Sequence, residues 1–252
     1  MKNNSFLSSE EIIKSFLSYL DDSIYSYAYL LDGSWGSGKT FFVKEILIPS
    51  IVKHEKEKKD QDSEYKEKRI LYVSLYGIKE TEEISRLLYL ELRKVMADKM
   101  TTGRFLKKHT PQIPTWLGTT SKIVSDVIKD SKGIDIENII NKISTGFSLK
   151  NCIFIFDDLE RTNITYTDLL GCINDYCENQ NFNTIIVANE EKIKDKTNNE
   201  LLYHEIKEKI VQRVIPFVPD YEEVVSNSIE SMSCGIKYKE FLIENKKLLI
   251  KI

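Results

Sequence analysis

The stretch Gly33-Ser34-Trp35-Gly36-Ser37-Gly38-Lys39-Thr40 decides how this chain is read. It satisfies the pattern G-x-x-x-x-G-K-[S/T] in full. Glycine lets the backbone turn with positive φ and lets successive amides approach an anion with no Cβ in the way. Those amides, with the positive end of a following helix, bind phosphate. In such a loop Lys39 reaches the β- and γ-phosphates of a nucleotide, and the Thr40 hydroxyl ligates Mg2+. The flanks give the match its meaning. Before it, residues 23–33 read SIYSYAYLLDG, rich in β-formers and closed by Asp-Gly, which predicts a buried strand. After it, KTFFVKEILI carries Phe42/Ile46 and Val43/Leu47 at i, i+4, which predicts a helix that Pro49 interrupts. A chance glycine-rich turn would have neither flank.

A second motif supplies what the loop lacks. CIFIFDDLER, residues 152–161, runs four apolar residues into Asp157 and Asp158. An acid at the C-terminal tip of a strand beside a phosphate loop binds Mg2+, commonly through water. The acid after it polarises an attacking water as a general base. The expectation is therefore Asp157 for the metal and Asp158 for the water, against the plainer reading of a polar turn that closes a buried strand. Glu160 reads as structural. Arg161 has two open readings: it stabilises charge on the γ-phosphate, in its own subunit or across an interface, or it pairs with Glu160 or Asp158. Asn189 ends TIIVAN, residues 184–189, where a polar sensor between loop and carboxylates belongs; equally, it is a good N-cap for the EEKIKDK helix that follows.

Around these motifs strands alternate with helices. Ser8 with Glu11 forms a capping-box pattern ahead of Ile12, Ile13, Phe16, Leu17 and Leu20 at helical spacing. RILYVSLYG, residues 69–77, reads as a strand, and Ile84, Leu87, Leu88, Leu92 and Val95 mark an amphipathic helix. Residues 101–150 carry a weaker signal, with helices expected near 120–130 and 135–145. Thr165 with Asp168 caps a helix bearing Leu169, Leu170, Ile173 and Cys177. LLYHEIKEKIV is a further helix, and Pro216 in RVIPFVP points to an edge strand or a bulge. Strands that are apolar throughout belong to parallel sheets covered by helices on both faces, so the fold class is α/β. The mixed-sign run from Lys53 to Arg69 reads as a solvated helix extension or loop.

Composition excludes other classes. The 252 residues are 41% hydrophobic and 30% charged, with 36 Lys and Arg against 39 Asp and Glu for a net charge of −3. That is enough chain for one sizeable core and no evidence of a polyanion partner. Lys107, Lys108 and Lys129 make at most a small basic patch, without interleaved aromatics, so nucleic acid is not expected for this chain alone. There is no run of 18 apolar residues for a membrane span, and the N-terminus does not read as a signal peptide. Cys152, Cys172, Cys177 and Cys234 form no CxxC pair and point to reduced thiols in the cytoplasm; His54, His109 and His204 are scattered, which argues against a zinc site.

GSWGSGKT and FDDLER together resemble the KAP family of P-loop NTPases, whose members carry a G-x-W-G-S-G-K-[S/T] loop and a strand ending in Asp-Asp-Leu-Asp-Arg. Trp35 sharpens the match, and EKIVQRVIPFVP, residues 208–219, is similar to the family's stretch after the sensor strand. Glu160 departs mildly from the usual Asp. Many relatives insert transmembrane helices between the two motifs, whereas residues 41–151 here are polar, as in soluble members that include bacterial proteins linked to phage defence. The resemblance implies a P-loop NTPase of the additional-strand class: a five-stranded parallel sheet, order 5-1-4-3-2, between helices, with Asn189's strand beside the loop strand. It implies a core over residues 1–222 with a helical insertion at about 100–150, and a C-terminal helical segment at 223–252 that either closes the domain or leads to a part lying elsewhere.

The expected function is Mg2+-dependent ATP binding and hydrolysis by a switch or motor module that works with further copies of itself or an effector protein. The alternative is a scaffold that assembles on ATP binding and hydrolyses little. A GTPase would want Asn-Lys-x-Asp where this chain has Asn189-Glu190-Glu191-Lys192, and a small-molecule kinase would want an arginine-rich lid where residues 101–150 hold only Arg104.

Overall fold

A computed structural model describes residues 7–22, 27–101, 151–179, 182–196 and 200–219, with scattered residues between 221 and 246. Five parallel strands form one sheet: β1 (Ala28–Asp32), β2 (Arg69–Ser74), β3 (Cys152–Asp157), β4 (Asn183–Ala188) and β5 (Val211–Pro216). Their order is β2-β3-β4-β1-β5. Read from the other edge this is the expected 5-1-4-3-2, and β4 does lie between the loop strand β1 and the carboxylate strand β3.

The sheet is sandwiched, as its apolar strands require. On one face Leu31, Ile153, Ile155, Ile185, Val187 and Ile215 pack against α1 (Ser9–Asp21) and the helix after the loop. On the other, Leu30, Phe154, Phe156 and Ile186 meet α3 (Thr81–Thr101), α4 (Tyr166–Asn174) and α6 (Glu200–Ile210); between the last two in sequence lies α5 (Glu190–Lys196). Every residue of β3 is buried. Both expected caps form: Ser8 Oγ accepts from Glu11 N–H with the reciprocal glutamate bond in place, and Thr165 Oγ1 accepts from Asp168 N–H.

The helix after the loop, α2, is interrupted ahead of Pro49 as expected, and it resumes beyond it. It runs in three stretches, Lys39–Phe41, a wider π-helical segment Phe42–Leu47, and Ile48–Gln61. Pro49 does not end it. Ahead of the proline the chain widens, so that Ile48 N–H donates to Val43 O, five residues back. Pro49 then sits at the start of the next regular stretch, where a missing N–H costs least. The mixed-charge run is accordingly helical to Gln61. One of its acids is not solvated: Glu55 is 2% exposed, and its Oε2 accepts from Tyr65 Oη at 2.9 Å and Lys68 N–H at 2.7 Å.

Strand β5 is both edge and irregular, as Pro216 foretold. Among the described residues it pairs only with β1, with a register shift between Ala28 and Tyr29. The insertion expected at 100–150 lies almost wholly outside the described residues, and so does part of 223–252; within the latter, α7 (Ile236–Glu244) is helical and buries none of its residues. No described helix is long and apolar enough to cross a membrane.

Candidate nucleotide site

The loop leaves the C-terminal end of β1 with its first glycine pinned on two sides. Gly33 N–H donates to Ala188 O of β4 at 3.2 Å. A Cβ on Gly33 would stand 2.8 Å from Phe217 O, just past β5, so only glycine fits that approach. Gly38 turns the chain into α2 at φ +87°, in the left-handed region that a side chain resists. Ser37 Oγ is buried with no hydrogen-bond partner. An orphaned hydroxyl within an amide-lined, glycine-built turn is the condition that a bound phosphate oxygen relieves, so the loop fits such a group.

Lys39 is buried, and its Nζ donates to Gly33 O at 2.6 Å and Ser34 O at 3.0 Å, arching over the loop. Burial holds it below the usual lysine value, opposed by the carboxylates of Glu160, Asp157, Asp32 and Asp158. Thr40 Oγ1 donates to Asp157 Oδ2 at 2.8 Å, which joins the two residues expected at the metal across 117 positions of sequence. Asp157 is 2% exposed; its Oδ2 also accepts from Tyr72 Oη at 2.5 Å, and its Oδ1 from Asp158 N–H at 2.7 Å. Burial raises its carboxyl above the usual range, against the pull of Tyr72 and Thr40.

The acids after the strand diverge. Asp158 is the one non-glycine among the described residues with positive φ (60°). Its Oδ2 accepts from Ser74 Oγ at 2.8 Å, and Arg161 Nε lies 3.4 Å from its Oδ1. Arg161 is half-exposed, with its guanidinium over the Trp35 ring at 5.2 Å and the Tyr76 ring at 5.6 Å. The structure thus places it beside both Asp158 and, at 3.9 Å, Glu160, and adds two aromatic partners absent from the sequence reading. Asn189 is buried, and its Oδ1 accepts from Lys192 N–H at 3.1 Å, so the N-cap is formed.

Glu160, read from the sequence as structural, has more specific partners than that reading gave it, and Asp32 carries no signal at all. Glu160 is 2% exposed and bonds Trp35 Nε1 at 2.8 Å; its only signal was the acid that similar chains carry there. Asp32, the last residue of β1, accepts from Glu190 N–H at 2.8 Å, while Glu190 Oε1 takes Tyr203 Oη at 3.0 Å and Lys207 Nζ at 2.7 Å. Burial raises the Asp32 carboxyl. No local pattern marks that cluster.

Loop, lysine, threonine and strand-end acid are those of a P-loop NTPase fold, and a model of the KAP family P-loop domain matches residues 9–242. The chain belongs to the KAP family. Two solved structures at a TM-score of 0.50 agree on the fold. The Aeropyrum pernix ORC2 protein in its ADP form is similar at a TM-score of 0.50 and 13% identity, over 91% of this chain and 54% of that one. Its ADPNP–ADP complexes give 0.50 at 12%, over 91% and 53%. Domain III of the Thermotoga maritima replication initiation protein DnaA gives 0.40 at 13%, over 94% and 76%. This KAP chain therefore spans about half the length of the ORC2 chains, and at such identities the likeness concerns the fold alone. Curated proteins yield no match.

Proposed function

We propose that this KAP domain binds ATP with Mg2+ and hydrolyses the terminal phosphate, as a switch read by further copies of the chain or by an effector protein. The observation that carries the reading is the Thr40–Asp157 hydrogen bond of 2.8 Å, which assembles both halves of the site from distant parts of the chain. Gly33, Ser34, Trp35, Gly36, Ser37 and Gly38 supply the backbone cradle, and Lys39 exchanges its two loop carbonyls for phosphate oxygens. Thr40 and Asp157 would hold Mg2+, which when bound neutralises charge on the β- and γ-phosphates. Asp158 polarises the attacking water and takes its proton, once its carboxylate turns from Ser74 and Arg161. The amide end of Asn189 reads the γ-phosphate. Arg161, half-exposed, serves its own site or a neighbour's.

The test is phosphate release with Mg2+ against EDTA. Lys39→Ala and Asp157→Asn should abolish turnover, and Asp158→Asn should lower it while ATP binding persists. Turnover in Lys39→Ala equal to wild type would sink the proposal. The tether on Asp158 also favours a second reading, a scaffold that assembles on ATP and hydrolyses slowly. Sedimentation with and without a non-hydrolysable analogue separates the two, and turnover per chain that is flat in protein concentration excludes an arginine supplied in trans. A cytoplasmic setting is in keeping with the free thiols of Cys152, Cys172 and Cys177. The role in phage defence rests on the resemblance, and plating efficiency with wild type against Lys39→Ala tests it.

A further inference from the structure

Glu160 faces a different way from the acid two residues before it. Strand β3 lies between β2 and β4. Asp158 is bonded to Ser74 at the end of β2, whereas Glu160 reaches past β4 to the phosphate loop. Its Oε1 accepts the Trp35 indole N–H at 2.8 Å, and its Oε2 accepts the backbone N–H of Asn189 at 3.1 Å. A carboxylate that is 2% exposed is tolerated only where donors compensate its lost hydration. Arg161 Nε lies 3.9 Å from Oε1, and the two hydrogen-bond donors come from the two segments that a nucleotide's phosphates must find together: the loop and the end of β4. Trp35 is 52% exposed, and besides the Arg161 guanidinium over its ring at 5.2 Å the Glu160 bond is what holds it.

We infer that Glu160 is a positioning residue of the nucleotide site, whose carboxylate fastens Trp35 of the phosphate loop to the backbone of Asn189 and so holds the loop in binding shape before a nucleotide arrives. This rests on the nucleotide reading above. It explains why an exposed tryptophan sits within a loop otherwise built of glycine and serine, and it gives the buried acid a task other than filling space. Charge agrees: Glu160 comes first among the carboxylates whose field acts on Lys39. Preorganisation of this kind is felt as affinity, because the free protein no longer has to order the loop on binding.

The experiment is calorimetric titration of ADP into wild type, Trp35→Phe, Glu160→Ala, Glu160→Gln and the double variant Trp35→Phe with Glu160→Ala. Trp35→Phe keeps an aromatic ring but removes the N–H together with the five-membered half of the indole. Each single loss should weaken binding on the order of tenfold, the factor that about 1.4 kcal/mol represents. The double variant should be no weaker than the worse single, and Glu160→Gln, which keeps an acceptor for the indole, should retain part of the affinity. In hydrolysis the loss should appear in KM more than in kcat. Losses that multiply in the double variant, or a Trp35→Phe protein with wild-type affinity, overturn the inference. If Glu160→Ala does not fold, the same cycle with Glu160→Gln decides it. A wild type that binds ADP no better than Lys39→Ala overturns the nucleotide reading as well; a wild type that binds, with additive losses, overturns this inference alone.

Discussion

Replacing Gly33 by alanine puts one methyl group where the structure leaves no room for it. The new Cβ would meet Phe217 O at 2.8 Å, Lys39 Cδ at 3.2 Å and Ser37 Oγ at 3.2 Å. Ordinary contact begins near 3.4 Å, so the Phe217 carbonyl must retreat by 3.4 − 2.8 = 0.6 Å. It cannot do so alone. Phe217 N–H is bonded to Asp32 O at 2.6 Å, and its ring packs on Phe42 with centroids 4.9 Å apart. Either β5 slides on β1 or the loop leaves its phosphate-binding path. Overpacking of this sort costs about 1–3 kcal/mol, which for a chain of this length lowers Tm by roughly 2–10 °C. Gly36 is the control: a Cβ there meets nothing within 4 Å, and only its φ of +75° is strained, at about 1 kcal/mol. The assay is a pair of thermal melts with ADP titrations. Gly33→Ala should melt below Gly36→Ala and bind ADP at least tenfold more weakly than wild type. A Gly33→Ala protein with wild-type melting and affinity would refute the argument that β5 closes over the loop.

Three other outcomes follow from the packing. Glu55→Ala strands Tyr65 Oη and the Lys68 amide, so urea unfolding should show a loss of roughly 1–3 kcal/mol at unchanged m-value, whereas its exposed neighbour Glu57 should tolerate the same change. Phe154 stacks on Phe182 at 4.9 Å and Tyr176 at 5.6 Å, so Phe154→Ala should cost about 3–5 kcal/mol, readable from the same unfolding curves. Burial pushes the Cys177 thiol from 9.0 up to about 12 and the Tyr176 hydroxyl from 10.0 up to about 12. The folded state then keeps protons that the unfolded state has lost, so stability should fall as pH rises above about 9; Tm unchanged up to about pH 11 would contradict this.

Much of the site was legible in one dimension because its chemistry is local. Eight consecutive residues make the loop, and a strand that ends in Asp157 needs only its own apolar run to be recognised. The caps at Ser8 and Thr165 are four-residue patterns and formed as read. Strand order was a different matter: periodicity yielded five strands and the α/β class, while the order came from family resemblance. Pro49 marks the interruption of the helix, but that the interruption is a π-helical segment after which the helix resumes depends on the register before it, which no local pattern shows.

What the sequence by itself determined is the set of groups: a phosphate loop, two strand-end acids, a polar residue after β4. Where each carboxylate points was decided only in three dimensions. Asp158 meets Ser74, Glu160 meets Trp35 and Asn189, and Glu55 disappears beneath Tyr65. The reason is physical. A strand or a cap draws its stability from neighbours within a few positions, so its pattern is written locally. A buried charge must instead find donors wherever the folded chain brings them, and Glu160 finds its own 125 residues upstream in the loop and 29 residues downstream on β4's end.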